Sequence, residues 1–390
     1  PFNRAGWEII INEYGGMLPL DIEAVPEGTV MGTHNVQVQI VNTDPRLFWL
    51  TSYVETAMLR GIWYPSTVAT KSRKMKRFIA AALHKTSDIP VADQINFKLH
   101  DFGARGASSA ETAMLGGMSH LVNFMGTDTI TGVLYAREFY NAGVAGFSIP
   151  AAEHSTITSW GRDGEVNAYR NMLKQFGREG SILAVVSDSY DIFNAASKLW
   201  GEELRDEVIA SGATVVIRPD SGDPVVVNRK LIEILGEKFG YTTNAKGFKV
   251  LNNVRLIQGD GVNELSIRSI LGAFMAMGWS ADNIAFGMGG ALLQIVNRDT
   301  QRFAMKCSSI QIDGVWQDVV KDPVTDSGKR SKGGRVTLWQ SGGEFASGVR
   351  PPSGWTDRGF GGWTEALQTV FRDGQIIHDR LSPTDLNHVI

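Results

Sequence analysis

From His34 to Val41 polar and apolar residues alternate as His-Asn-Val-Gln-Val-Gln-Ile-Val, the period of a strand with one buried face. Patterned sequence begins even earlier, at Trp7-Glu8-Ile9-Ile10-Ile11, and residues 1–50 are therefore expected to be β-rich. After Asp44-Pro45 the spacing changes. Trp49, Leu50, Tyr53, Val54, Ala57 and Met58 recur at three and four, and Thr67 to His84 continues in helix formers and basic residues, which predicts two helices separated by Pro65. Short apolar runs then follow at intervals: Phe97 to Leu99, Val122 to Phe124, Gly146 to Ile149, Leu183 to Val186, Thr214 to Ile217, Arg255 to Gln258 and Ile284 to Phe286. Most lead through a polar or Gly-rich turn into helical pattern, at Ala110 to Met118, Asp191 to Leu199, Val227 to Leu235 and Ser266 to Met277. Such alternation implies parallel βαβ units, about seven of them, enough for an open sheet or a closed barrel. Periodicity alone does not choose between these.

Beyond Leu293 the pattern gives way to a basic, Gly-rich segment (Lys329-Arg330-Ser331-Lys332-Gly333-Gly334-Arg335) and a Trp/Gly-rich tail. The expected division is a β-rich and helical flank over 1–87, a βα body over 88–297 carrying the functional site, and a C-terminal part over 298–390 that joins the flank in a second, mixed domain.

With 390 residues, 43% of them apolar, the chain can bury one large core or two modest ones. A net charge of -3 supplies no global basic field, so a nucleic-acid partner is not expected and any phosphate must meet a local cluster of cations. The lone Cys307 cannot form an internal disulfide and lacks zinc-site spacing; it is expected to be packing, in a reducing cytoplasm. No run approaches the ~18 apolar residues of a membrane span. A soluble protein without a membrane partner is expected. The chain starts at Pro1 and enters patterned sequence directly, which suggests an upstream part.

In parallel α/β architectures the working residues follow the carboxyl ends of the strands. Here those places read His100-Asp101-Phe102-Gly103-Ala104-Arg105-Gly106, Gly126-Thr127-Asp128-Thr129, Ala152-Glu153-His154-Ser155-Thr156, Ser187-Asp188-Ser189-Tyr190-Asp191, Arg218-Pro219-Asp220-Ser221-Gly222, Gly259-Asp260-Gly261 and Gly287-Met288-Gly289-Gly290. One such string alone would be a turn or a helix cap. In series they outline a site. Gly289-Gly290, ahead of Ala291-Leu292-Leu293-Gln294, presents bare N–H groups at a helix start, where the dipole favours phosphate. Arg218 two residues before Asp220 reads as a phosphate-binding cation beside a carboxylate for ribose hydroxyls or magnesium, or else as a structural ion pair. Gly259-Asp260-Gly261 repeats the carboxylate on flexible backbone, or is a plain turn. His154, between Glu153 and Ser155 at a strand-to-loop junction, stands out among seven histidines, with Asp188 one strand later to orient it. Phe102 is a candidate wall for a planar ring, as well as ordinary core.

These strings, in this order, resemble nicotinamide phosphoribosyltransferases: H-D-F-G-x-R-G, H-L-V-N-F-x-G-T-D-T, P-A-A-E-H-S-T, V-S-D-S-Y-D-I, I-R-P-D-S-G, I-Q-G-D-G-V and F-G-x-G-G. A-V-P-E-G, V-N-T-D-P, W-Y-P-S-T-V-A-T, K-D-P-V and K-R-S-K extend the match from about Gly6 to about residue 375. The resemblance implies an α/β fold, an irregular β/α barrel of the type II phosphoribosyltransferase kind with a second mixed α+β domain, in a homodimer with shared active sites. It implies that nicotinamide and phosphoribosyl pyrophosphate combine into nicotinamide mononucleotide and pyrophosphate, with Mg2+ and with ATP as co-substrate.

Residue by residue, the resemblance has Phe102 stack on the nicotinamide ring, Asp128 accept from the carboxamide with Ser148 near it, and Arg105 and Arg218 line the ring and sugar pocket. Asp220 would hold the ribose with Gly259 and Asp260 nearby, and Gly289 and Gly290 would cradle the phosphate. Arg298 and Lys306 would reach phosphate or pyrophosphate, in part from the partner subunit. His154 would be phosphorylated when ATP hydrolysis is coupled to synthesis, with Asp188 its neighbour. An ionised Asp128 would repel the carboxylate of nicotinic acid, which favours the amide.

The alternatives are a nicotinate phosphoribosyltransferase and a truncated, non-catalytic nucleotide-binding relative. Asp128 weighs against the first, and intact His154, Asp188, Arg218 and Asp220 against the second. Two departures from the family are an absent N-terminal segment, which carries a tyrosine for the opposite face of nicotinamide, and Met288 where some relatives have Ser. The backbone donors beside Met288 are kept.

Overall fold

The chain opens in a helix, Arg4–Tyr14, where a β-rich start was expected. Asn3 caps it by accepting from the Gly6 N–H, and Gly15, at φ 61°, closes it. Ile10 is buried with Leu20, Leu47 and Leu50, and Trp7 and Tyr14 pack beside them at helical spacing. The computed structural model describes residues 2–325, 327–350 and 362–377. The Trp- and Gly-containing stretch at 351–361 lies outside the described residues.

Two compact units result, Pro1–Trp63 with Arg298–Ile390, and Tyr64–Asn297. The division falls inside the helix Leu50–Thr86, which runs through Pro65 as one element where two were predicted. Pro65 removes one intrahelical bond, a loss of ~3 kcal/mol in an isolated helix. It is outweighed here because Tyr64, Val68, Met75, Ile79 and Leu83 bury one continuous stripe.

The first unit is antiparallel. One sheet takes Gln375–Ile376, Gln368–Arg372, Leu20–Ala24 and Val38–Asn42 in that order, so the alternating run predicted from His34 becomes a strand only from Val38. A second sheet joins Glu344–Val349, Val336–Ser341 and Thr364–Glu365, and Ser309–Ile312 pairs with Val315–Asp318 in a hairpin. Cys307 is exposed rather than packed, because it lies just before the hairpin, whose residues are largely exposed themselves.

The second unit carries six parallel strands: β1 (Leu99–Asp101), β2 (Gly126–Thr127), β3 (Ile182–Val186), β4 (Thr214–Arg218), β5 (Val254–Gln258) and β6 (Ile284–Met288). Their order is β2-β1-β6-β5-β4-β3. Val122 to Phe124, expected as a strand, instead forms the turn that follows the helix Ala110–Leu121, leaving only Gly126–Thr127 extended. Gly146 to Ile149 is not a strand either, but its backbone works as one. Phe147 bonds to Met125 and Thr127 at one edge, at 2.8 and 3.0 Å, while Pro150 and Ala152 bond to Ala184 at the other, at 2.9 and 3.0 Å. This segment closes the sheet irregularly into a barrel. Leu183, Val185, Val215, Ile217 and Leu256 are buried on one face of the sheet; on the other Ala184, Val216 and Ile257 cluster with Phe102, Ile149 and Ala285.

No helix among the described residues is long and apolar enough to cross a membrane.

Candidate active site

The carboxyl ends of the six strands, together with the closing segment that carries Ser148 and leads to His154, supply the candidate residues of the second unit. Phe102 follows β1 and is pinned by its N–H, which donates to the Met288 carbonyl at 3.1 Å. Its ring lies over Gly287, where a Cβ would sit 1.9 Å from Cε2, so β6 must be bare at that point. Asp128 follows β2, anchored by its N–H to the Asp101 carbonyl at 2.9 Å. Its carboxylate is exposed and accepts from the Ser148 hydroxyl at 2.6 Å, across the closing segment.

A second cluster stands on β3 and β4. His154 begins a short helix, His154–Thr158, capped by Glu153, rather than lying in a loop. Its Nε2 meets Asp188 Oδ1 at 2.9 Å, and its Nδ1 faces Asp220 Oδ2 at 4.0 Å. Asp188 Oδ2 accepts from the Asp220 N–H at 3.1 Å and from the Ser221 hydroxyl at 2.6 Å. Asp220 Oδ1 takes Arg218 Nη2 at 2.9 Å and Nε at 3.2 Å. The guanidinium carbon of Arg218 sits 5.3 Å from the centre of the Phe102 ring, joining the two clusters. A Cβ on Gly259 would fall 2.7 Å from Asp220 Oδ1, which places the Gly259-Asp260 turn directly against the pair.

Gly289 and Gly290 start the short helix Gly290–Leu293, and nothing stands within 4 Å of a Cβ built on Gly290. The other end of that helix is tied down: Tyr64 donates to the Leu293 carbonyl at 3.0 Å, and the Lys71 ammonium to those of Ala291 and, at 3.2 Å, Ile295. Arg105 lies exposed in the tight turn Ala104–Gly106. Arg298 and Lys306 belong to the other unit, Arg298 pairing with Asp299 at 2.7 Å and Lys306 donating to the Met305 carbonyl at 2.8 Å.

Burial sets the protonation beneath this surface. Asp101 is fully buried, and desolvation raises its pKa to about 6, with a smaller push from Asp128, against the lowering effect of the hydrogen bond from the Gly103 N–H. Burial lowers the pKa of His100 and takes His120 down to about 4, so both rings are held neutral. Sequence reasoning passed over Ser221, although it stands inside Arg218-Pro219-Asp220-Ser221-Gly222, and it passed over Gly287, whose need for a bare Cα is visible only in three dimensions. No group of three or more His, Cys, Asp or Glu among the described residues could hold a metal ion by itself.

A solved structure of nicotinate-nucleotide pyrophosphorylase from Pyrococcus furiosus superposes with a TM-score of 0.63 at 17% identity, covering 95% of this chain and 79% of that one. The fold, a parallel βα barrel sheet beside mixed structure, is that of the type II phosphoribosyltransferases. Residues 97–375 match the nicotinate phosphoribosyltransferase (NAPRTase) family, and the chain belongs to it. Among curated relatives, a nicotinamide phosphoribosyltransferase of Xanthomonas campestris pv. campestris is 57% identical over 97% of this chain and 80% of its own length. One from Acinetobacter baylyi is 34% identical over 93% of this chain and 74% of its own length.

Proposed function

We propose that the chain joins nicotinamide to the ribosyl phosphate of phosphoribosyl pyrophosphate, releasing pyrophosphate and forming nicotinamide mononucleotide for NAD salvage. The observation that carries the choice of nicotinamide is the exposed Asp128 carboxylate, oriented by Ser148, on a backbone whose N–H is held by the carbonyl of Asp101, the residue before Phe102. A carboxylate accepts from the amide NH₂ and opposes the carboxylate of nicotinic acid. The relatives named as nicotinamide phosphoribosyltransferases support the same choice.

In this reading Phe102 holds the ring so that its nitrogen faces C1 of the ribose, and Arg105 and Arg218 line the pocket. Asp220 accepts from ribose hydroxyls, with Gly259 and Asp260 beside it, and Gly289 and Gly290 give backbone donors to the 5′-phosphate. The C1–oxygen bond to pyrophosphate breaks as the ring nitrogen bonds to C1, so placement and neutralisation of the leaving charge supply the catalysis. No protein nucleophile attacks the sugar. Magnesium usually uses one or two carboxylates plus substrate phosphates, which suits the Asp220 and Asp260 donors at neighbouring strand ends. It would neutralise pyrophosphate there. Arg298 and Lys306 would reach the phosphates, in part from the partner subunit of a homodimer.

ATP stimulation belongs to the same proposal. With Nε2 of His154 donating to Asp188, Nδ1 is the nitrogen left to accept the γ-phosphoryl group as ADP departs. Location in the cytoplasm is supported by an exposed thiol, Cys307, as the single cysteine. The test is pyrophosphate release from nicotinamide and phosphoribosyl pyrophosphate, in wild type and in Asp220→Ala. Release in wild type that falls at least a hundred-fold in the variant is expected, at roughly the size of a lost transition-state contact. No release by the folded wild-type chain would overturn the proposal.

A further inference from the structure

His120 is completely buried and has no part in the chemistry above. It lies near the end of the helix Ala110–Leu121 and stacks on Phe124, with ring centres 5.2 Å apart and planes at 17°. Both ring nitrogens are engaged. Nδ1 is 2.8 Å from Ser72 Oγ on the long helix, while Nε2 is 3.3 Å from the Leu99 carbonyl and 3.2 Å from that of Gly126. Carbonyls only accept, so Nε2 carries the proton and Nδ1 accepts from the serine hydroxyl. A neutral ring satisfies every partner.

The two carbonyls belong to adjacent strands one residue apart in register, since Gly126 pairs with His100, the residue after Leu99, and Thr127 with Asp101. β2 is only two residues long, so that ladder has two steps. A strand so short is held to the β1 segment by few bonds, among them the Asp128 N–H on the Asp101 carbonyl at 2.9 Å and the Met125 N–H on that of Asn96 at 2.8 Å, and the His120 Nε2–H adds one that spans both strands. Phe102 leaves β1 three residues after Leu99, and Asp128 leaves β2 two residues after Gly126. Holding those carbonyls together helps to fix the spacing of the two backbones that carry the aromatic ring and the carboxylate. Arg218 and Asp220 stand on β4, remote in sheet order from this clip.

We infer that His120 is a positioning residue: its Nε2–H clips β1 to β2 and so fixes Phe102 against Asp128 for recognition of the carboxamide ring. This rests on the proposed reading of Phe102 and Asp128 as the nicotinamide subsite. The residues that the clip holds together are those of the nicotinamide subsite, so the larger effect falls on that substrate.

The experiment uses the full chain and varies nicotinamide and phosphoribosyl pyrophosphate separately, in wild type, His120→Phe, His120→Gln and Ser72→Ala. Phe keeps a flat ring to stack on Phe124 but donates nothing, whereas Gln offers an N–H₂ again. His120→Phe is expected to raise KM for nicotinamide about ten-fold, the size of one or two lost hydrogen bonds, with KM for phosphoribosyl pyrophosphate within about two-fold of wild type. The preference for nicotinamide over nicotinic acid should fall with it. His120→Gln should recover part of both, and Ser72→Ala, which only loosens the ring, should show a smaller rise in the same KM. Should His120→Phe fail to fold, Ser72→Ala carries the test alone. Equal rises in both KM values, or an unchanged nicotinamide KM in folded variants, would overturn the inference while leaving the subsite intact. A wild-type chain without turnover of nicotinamide would overturn the subsite reading itself.

Discussion

Gly287→Ala is the sharpest single perturbation of the site. The added Cβ would lie 1.9, 2.2 and 2.6 Å from Cε2, Cδ2 and Cζ of Phe102, against an ordinary carbon contact of about 3.5–4 Å. All three atoms belong to one rigid ring, so the ring must move as a body by more than an ångström. Its backbone cannot follow freely, because the Phe102 N–H is held on the Met288 carbonyl at 3.1 Å. The side chain must therefore leave its rotamer and with it the plane offered to nicotinamide. Stacking of a flat heterocycle on an aromatic side chain is worth about 1–3 kcal/mol, so KM for nicotinamide should rise roughly 5- to 150-fold. Initial rates at varied nicotinamide and saturating phosphoribosyl pyrophosphate measure this, with KM for the second substrate as internal control. Alanine is at ease in a strand, so the fold should persist with a melting temperature lowered by a few degrees, since overpacking costs about 1–3 kcal/mol. An unchanged nicotinamide KM in a folded variant would refute the placement of Phe102 as the stacking wall.

Asp101→Asn tests the buried carboxyl. Because burial raises the folded pKa from 3.8 to about 6, the native state binds the proton more tightly than the unfolded chain; this stabilisation is complete below pH 4 and is lost as pH rises through about 6. Relative to wild type, the variant should gain on the order of 3 kcal/mol between pH 4 and 7, about two pKa units, since Asn keeps the acceptor for the Gly103 N–H. Denaturant melts across that range would show a constant difference if the carboxyl did not titrate. His154→Ala should reduce the rate with ATP to the rate without it, and intact-protein mass after incubation with ATP should lack the phosphoryl adduct expected of wild type. A variant that still responds to ATP would remove His154 from the coupling.

The sequence made the strand ends legible because a parallel barrel concentrates chemistry there: β3, β4, β5 and β6 begin and end within two residues of the apolar runs that predicted them. What it concealed depends on tertiary context. Ile9, Ile10 and Ile11 have strand propensity, yet Asn3 and the stripe through Ile10 make a helix of them. Pro65 signals a break that the packing of Val68 and Met75 overrides. Phe147 and Pro150 close the barrel with backbone bonds that no side-chain pattern announces. In the site, His154 and Asp188, singled out by residue type and strand order, do meet at 2.9 Å, whereas Ser221 on Asp188 and Gly287 under Phe102 become visible only when strands distant in sequence stand side by side.

The most direct measurement is competition. Equimolar nicotinamide and nicotinic acid are presented with phosphoribosyl pyrophosphate, magnesium and ATP, and the two mononucleotides, which differ by the charge of one group, are separated and counted. The exposed Asp128 carboxylate predicts nicotinamide mononucleotide in excess by at least ten-fold, the effect of about 1.4 kcal/mol of discrimination, with the excess lost in Asp128→Ala. Equal yields, or an excess of nicotinic acid mononucleotide from the wild-type chain, would contradict the account.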